Sequence, residues 1–293
     1  MILFILIFML LLFFPQITHD GIKNGLLLLE NQVIPSLYPF ILLSAYLRNK
    51  CNTKNSSFLF LTSFLSGYPI GAKIISESEF KPTFLSKQNL LLLCNMPSPS
   101  FLLSYVGYHC LNQPALSLLI SFSIIIGNIC TIFLQNIHRI VFRHEKFPTS
   151  KRTLHNLSLN KLSYTTNSAS IPQESFLTLL TISTYILIFN IAAVFIQKIS
   201  FLKYTFKSFF IGLFEITTGI NQLTDAPINL QWKLIYITGL LSFGGFSIIL
   251  QTKSMIESSD LSIKKYMTDK AISSCIAMSV MYGFTLLFKL NIN

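Results

Sequence analysis

Lys73, in "GYPIGAKII", and Glu215, in "FFIGLFEITTGI", are ionisable side chains set in strongly apolar runs. A charge held in hydrocarbon is costly, so either is a candidate functional group if its run enters a bilayer. Glu215 is followed by Thr217, Thr218 and Gly219. A carboxylate there can pair with Lys73 or another cation, take up a proton, or help to coordinate an ion. The bland alternatives stay open: Lys73 snorkels to an interface, and Glu215 is an interfacial carboxylate near a helix end. Glu30, in "GIKNGLLLLENQ", is weaker, because that stretch reads as an amphipathic entry helix with Glu30 on its wet face.

Uncharged polar residues gather where the backbone is interrupted. Gly67, Tyr68, Pro69 and Gly71 break one run in "SGYPIG". Asn95, Ser98 and Ser100 surround the two prolines of "CNMPSPSF". Proline removes a donor and frees a carbonyl one turn earlier, and Asn or Ser can satisfy what is freed. Ser242, Gly244, Gly245, Ser247 and Gln251 make a comparable set around "SFGGFS", where the glycines could also serve close helix packing. Each cluster by itself reads as backbone repair. Their recurrence in both halves of the chain points to one central site that offers carbonyls, hydroxyls and amides to a polar solute at the bilayer midplane.

The elements that must position these groups are membrane helices. The chain has 293 residues, of which 52% are hydrophobic and only 11% charged, with a mean hydropathy of +0.59. A soluble domain carries about 25% charged residues. The expected class is therefore an all-α, polytopic membrane protein. The net charge of +11 reads as loop lysines and arginines that set orientation and meet lipid headgroups, with no nucleic acid as partner. The five cysteines form no CxxC pair and the five histidines are scattered, so neither a metal nor another cofactor is indicated. No HExxH, GxSxG or P-loop occurs, and no catalytic residue is assigned; an enzyme is not expected.

Nine apolar segments can be marked, at 2–16, 22–47, 57–76, 88–107, 115–137, 176–198, 204–222, 233–251 and 270–290, for about 8–9 membrane segments. The first has no positive flank or small-residue cleavage site and reads as a membrane segment, not a signal peptide. The organisation is an N-terminal segment (1–20), a first gate-like repeat (21–137), a basic loop (138–172) and a second gate-like repeat (173–293). The positive-inside rule places the basic loop in the cytoplasm. Counting back from it, "RNKCNTKN" falls outside unless the "SGYPIG" segment dips in and returns on the same side. A re-entrant segment makes the halves inverted copies, although Lys198, Lys203 and Lys207 then lie outside. In this reading "SFLSGYPI" aligns with "SFGGFSI".

The segments "SGYPIGAKIISE", "CNMPSPSFLLSYVG", "GLFEITTGI" and "LSFGGFSIILQTKSMI" resemble the sporulation integral membrane proteins of the YlbJ type, with "VIPSLYPFILLS" and "IIIGNI" fitting as well. The similarity runs from about residue 20 to residue 280. It implies a protein with nucleoside recognition, or gate, domains, from an endospore-forming bacterium. It further implies action in spore cortex formation at a mother-cell or forespore-surrounding membrane. No substrate is implied. "RNKCNTKNSSF" is shorter than the corresponding part of the family, so the first half is trimmed relative to the second. The expected role is transport of a small polar solute or ion; the alternative is a scaffold that recruits cortex-assembly enzymes. Membrane lipids, the solute and other sporulation membrane proteins are the expected partners. The expected solute-binding set is Gly67, Tyr68, Pro69, Gly71, Lys73, Asn95, Ser98, Glu215, Thr217, Thr218, Ser242, Gly244, Gly245 and Gln251.

Overall fold

Glycine or proline marks three of the four internal breaks of this chain, and the fourth falls at Glu215. The computed structural model describes residues 11–50, 56–78, 85–143, 171–199, 201 and 203–289. Most of the expected first segment, part of "RNKCNTKN" and residues 144–170 of the basic loop lie outside the described residues. All regular structure among the described residues is helical.

The chain enters through α1 (Pro15–Leu28), with proline in its first turn, where a missing N–H does no harm. A π-helical turn (Leu29–Val33) leads into α2 (Ile34–Lys50). Two broken pairs follow. In the first, α3 (Ser56–Ser66) and α4 (Ile70–Glu77) meet at Gly67–Pro69. In the second, α5 (Lys87–Cys94) and a π-helix (Phe101–Cys110) meet at "NMPS". The long α6 (Pro114–Arg143) ends this half. The order then recurs: long α7 (Ile171–Gln197), broken α8 (Tyr204–Phe214) and α9 (Ile216–Thr224), broken α10 (Leu230–Phe243) and α11 (Gly245–Ile256), and long α12 (Ile263–Leu287).

Among the described residues, four helical stretches are long and apolar enough to cross a bilayer: Pro114–Ile137, Ile171–Gln197, Leu230–Ile256 and Ile263–Leu287. A fifth candidate is the pair Pro15–Val33 and Leu37–Tyr46, bent by 58°. The apolar segments expected at 57–76, 88–107 and 204–222 are cut into halves of 8–11 residues. An 11-residue helix reaches about 16 Å, roughly half the hydrocarbon thickness. Helix α1 also runs unbroken across residue 20, where the sequence reading drew a boundary.

In lipid, apolar burial drives little helix association, and close packing of small residues does more. Gly21 and Gly25 of α1 face α7 so closely that a Cβ at either would lie 2.6 Å from Ile191 Cα or 2.8 Å from Leu187 Cδ2. Gly127 of α6 likewise meets the Ser273 carbonyl of α12, at 2.7 Å from an added Cβ. Leu118, Phe122, Ile129 and Phe133 form the exposed outer face of α6, as a lipid-facing stripe requires. Leu230–Ile256 is the inner helix: 78% of its apolar window is buried, against 28–50% for the other three.

Candidate functional site

Each break is locked by its neighbour. Gly67 adopts φ +67°, in the left-handed region open to glycine. This brings the Tyr68 N–H to the Met96 carbonyl (2.9 Å), so the first break is pinned to the second. Gly71 lies against the Cys94 carbonyl, 2.7 Å from an added Cβ. The second half repeats the device with other residues. Gly245, at φ +70°, packs on the Gly212 and Leu213 carbonyls of α8, 3.1 and 3.2 Å from an added Cβ. A larger residue at any of these points would push two half-helices apart.

Glu215 is the break between α8 and α9. It is 2% exposed and caps α9: Oε1 accepts from the Thr217 N–H (3.2 Å) and Oε2 from the Thr218 N–H (2.6 Å). The positive end of the α9 dipole thus faces the carboxylate, which compensates part of its desolvation. Tyr105, from the π-helix, donates to the Thr217 carbonyl (3.0 Å) and ties the first half to this cap.

A cavity of about 50 Å³ opens where the four breaks converge. Tyr68, Pro69, Ser98, Glu215, Thr217 and Gln251 line it, as does Ser247, whose hydroxyl accepts from Gln251 Nε2 (3.0 Å). Tyr68 Oη is buried without a hydrogen-bond partner among the described residues. Val33, Leu37, Ile182 and Ile186 supply an apolar wall. At about 10–15 Å³ per water the space has room for roughly three to five waters, or a small ion with part of its shell.

Other expected residues stand elsewhere. Lys73 does not find its partner in Glu215: Nζ bonds Glu174 Oε1 (2.8 Å) and Thr178 Oγ1 (2.9 Å) on α7. Glu174 belongs to the first turn of α7. Asn95 is fully buried, with Nδ2 donating to Thr252 Oγ1 (2.9 Å) and Tyr266 Oη (2.7 Å), away from the cavity lining. Ser242 sits 3.4 Å from Ser273. Thr218 turns its hydroxyl to Asn190 Oδ1 (3.1 Å). Gly67, Gly71, Gly244 and Gly245 shape the breaks through backbone geometry.

Two features escape the sequence reading. A wider opening of about 320 Å³ shares Thr217 with the cavity and is lined by the carboxamides of Asn24, Asn31, Gln32, Gln197, Asn221 and Gln222. They come from four elements, with Asn31–Gln32 and Asn221–Gln222 as adjacent pairs far apart in the chain. The second feature is Lys270, 0% exposed within α12. Its signal was present: Tyr266, Lys270, Ser273 and Ala277 repeat at helical spacing and are all buried. Beginning the last membrane segment at residue 270 treated the lysine as a flank.

No protein-family profile matches the chain, and no solved structure does. Sporulation integral membrane protein YlbJ of Bacillus subtilis (strain 168) is 22% identical to it over 311 residues, covering 90% of this chain and 76% of the relative. That likeness spans nearly the whole chain and supports its assignment to the YlbJ-like family of sporulation integral membrane proteins.

Proposed function

We propose that the chain moves a small polar solute or ion across a membrane during spore formation. The observation that carries this reading is the convergence of four helix breaks on one small cavity, with the carboxylate of Glu215 held at the N-terminus of α9. Irregular backbone at membrane depth is tolerated where it lines a cavity or is covered by protein. Broken helices that offer their ends to a central site are the common design of secondary transporters. The carboxamide-lined opening supplies an uncharged polar approach to the same point through the shared Thr217. The sporulation setting, at a mother-cell or forespore-surrounding membrane, rests on the name of the Bacillus subtilis relative and on the resemblance that the sequence carries.

In this reading the two halves are repeats: the first runs through a bent helix pair, two broken helices and a long helix, the second through a long helix, two broken helices and a long helix. Element order then matches the Gly67–Pro69 break with Glu215, and "NMPS" with Gly244–Gly245. This differs from the alignment of "SFLSGYPI" with "SFGGFSI" drawn from the sequence. Access alternates as one repeat rocks against the other, with Glu215 the charged group that meets the solute.

The test is Glu215→Gln, expressed in an endospore-forming strain that lacks the native copy. Normal insertion and abundance with failed spore formation is the expected result. Normal spores at wild-type frequency would remove Glu215 from the site.

A further inference from the structure

Helix α12 turns a polar, fully buried face toward the broken helices. Lys270 Nζ has no hydrogen-bond partner among the described residues; it lies over the ring of Tyr266, 5.8 Å from the centroid. The carboxylate beside it in sequence, Asp269, is taken by Lys265 (2.9 Å) and Gln135 (2.7 Å). A buried ammonium needs a source of negative potential.

The register of α12 supplies one. Tyr266 Oη donates to the carbonyl of Asn95 (3.3 Å), the residue that ends α5. Ser273 contacts Ser242 (3.4 Å), in the last turn of α10, and Ser274 donates to the Gly239 carbonyl (2.8 Å). Lys270 lies between these contacts, about 6 Å along the axis from Tyr266 and about 4.5 Å from Ser273. The ends of α5 and α10 thus pack against the turns of α12 on either side of Lys270, while Ser273 also donates to Asn128 Oδ1 of α6 (2.7 Å), and a helix C-terminus carries about half a negative charge. Asn95 Oδ1 is likewise buried with no partner among the described residues. In broken-helix transporters, half-helix C-termini and unwound carbonyls are the groups that hold a coupling cation.

We propose that Lys270 is a tethered cation. Its ammonium occupies the monovalent-cation position formed by the C-termini of α5 and α10, so the fold needs no alkali ion there. Glu215 at the N-terminus of α9 is the opposite case, and the two buried charges are matched to opposite helix ends. The inference stands on packing and does not depend on the transport reading.

The experiment follows thermal unfolding of the full chain in detergent, at matched ionic strength, in sodium, ammonium and choline chlorides. Wild type is expected to melt at one temperature in all three. Lys270→Ala is expected to melt lower in choline, and sodium or ammonium should restore at least about 2 °C in a saturable manner as the ion enters the vacated space. Lys270→Gln is read in the same way. Three results would each overturn the proposal: no gain from the small cations over choline in either variant, an equal gain in wild type, or a gain that follows the anion when gluconate replaces chloride. Should neither neutral variant be recovered folded in any salt, rescue by Lys270→Arg supports the tethered charge and failure of that rescue overturns it.

Discussion

Gly67→Ala measures how tightly the two breaks of the first half are locked. An alanine there must keep φ at +67°, which costs a residue with a Cβ about 1–2 kcal/mol. The added methyl would also lie 2.5 Å from the Ser98 nitrogen, 2.8 Å from Ser98 Cβ and 2.9 Å from the Met96 oxygen. Two of these are backbone atoms and the third is fixed to the backbone, so α3–α4 must shift from "NMPS", at about 1–3 kcal/mol more. The sum, about 2–5 kcal/mol, corresponds to a fall in melting temperature of about 4–20 °C. Gly283 supplies the control. It lies within α12, and an added Cβ meets nothing within 4 Å. Gly283→Ala is therefore expected to be neutral or stabilising by up to about 1 kcal/mol. Both variants are compared with wild type by thermal unfolding in one detergent. A Gly67→Ala protein that melts within about 1 °C of wild type, or together with Gly283→Ala, refutes the interlocked-break geometry.

Lys73→Met and Glu174→Gln should each lower stability, and the double variant should lose less than the sum, with a coupling of about 0.5–1 kcal/mol for this partly exposed pair. Strict additivity in that unfolding cycle would show that the 2.8 Å contact contributes nothing. Glu215→Gln, beyond its effect on spores, should cost about 1–3 kcal/mol in the same melt, because the amide buries an NH₂ where α9 presents only donors.

Three of the four breaks were legible, because their cause is local; the one at Glu215, with no glycine or proline in it, was not. Gly67, Pro69 and the Gly244–Gly245 pair announce conformations that other residues resist, and all fall at breaks. Glu215 stood out because its neighbours are so apolar, and it is buried at the cavity. Partnerships across the chain were not legible. Lys73 and Glu174 are 101 residues apart, and Glu174 follows directly on a Ser/Thr/Asn-rich stretch that masks the start of α7. The Asn95 NH₂ donates to Tyr266, 171 residues away, a contact set by how α5 meets α12 and not by any spacing. Lys270 hid for a related reason. "IKKYMTDKAISS" is polar enough to read as a solvated end, and only the packing of α12 shows which lysine faces inward.

Access of water to Ser247 tests the central claim most directly. This residue is 3% exposed and lines the cavity beside Gln251. In a chain cleared of native cysteines, Ser247→Cys in intact cells should react with a small, water-soluble thiosulfonate cation, and Glu215→Gln should slow that reaction by removing the attracting charge. Phe122→Cys, on the outer face of α6, should remain unmodified. A cysteine at 247 as inert as the one at 122 would mean that no aqueous route reaches the meeting point of the four breaks, and the proposed passage would not exist.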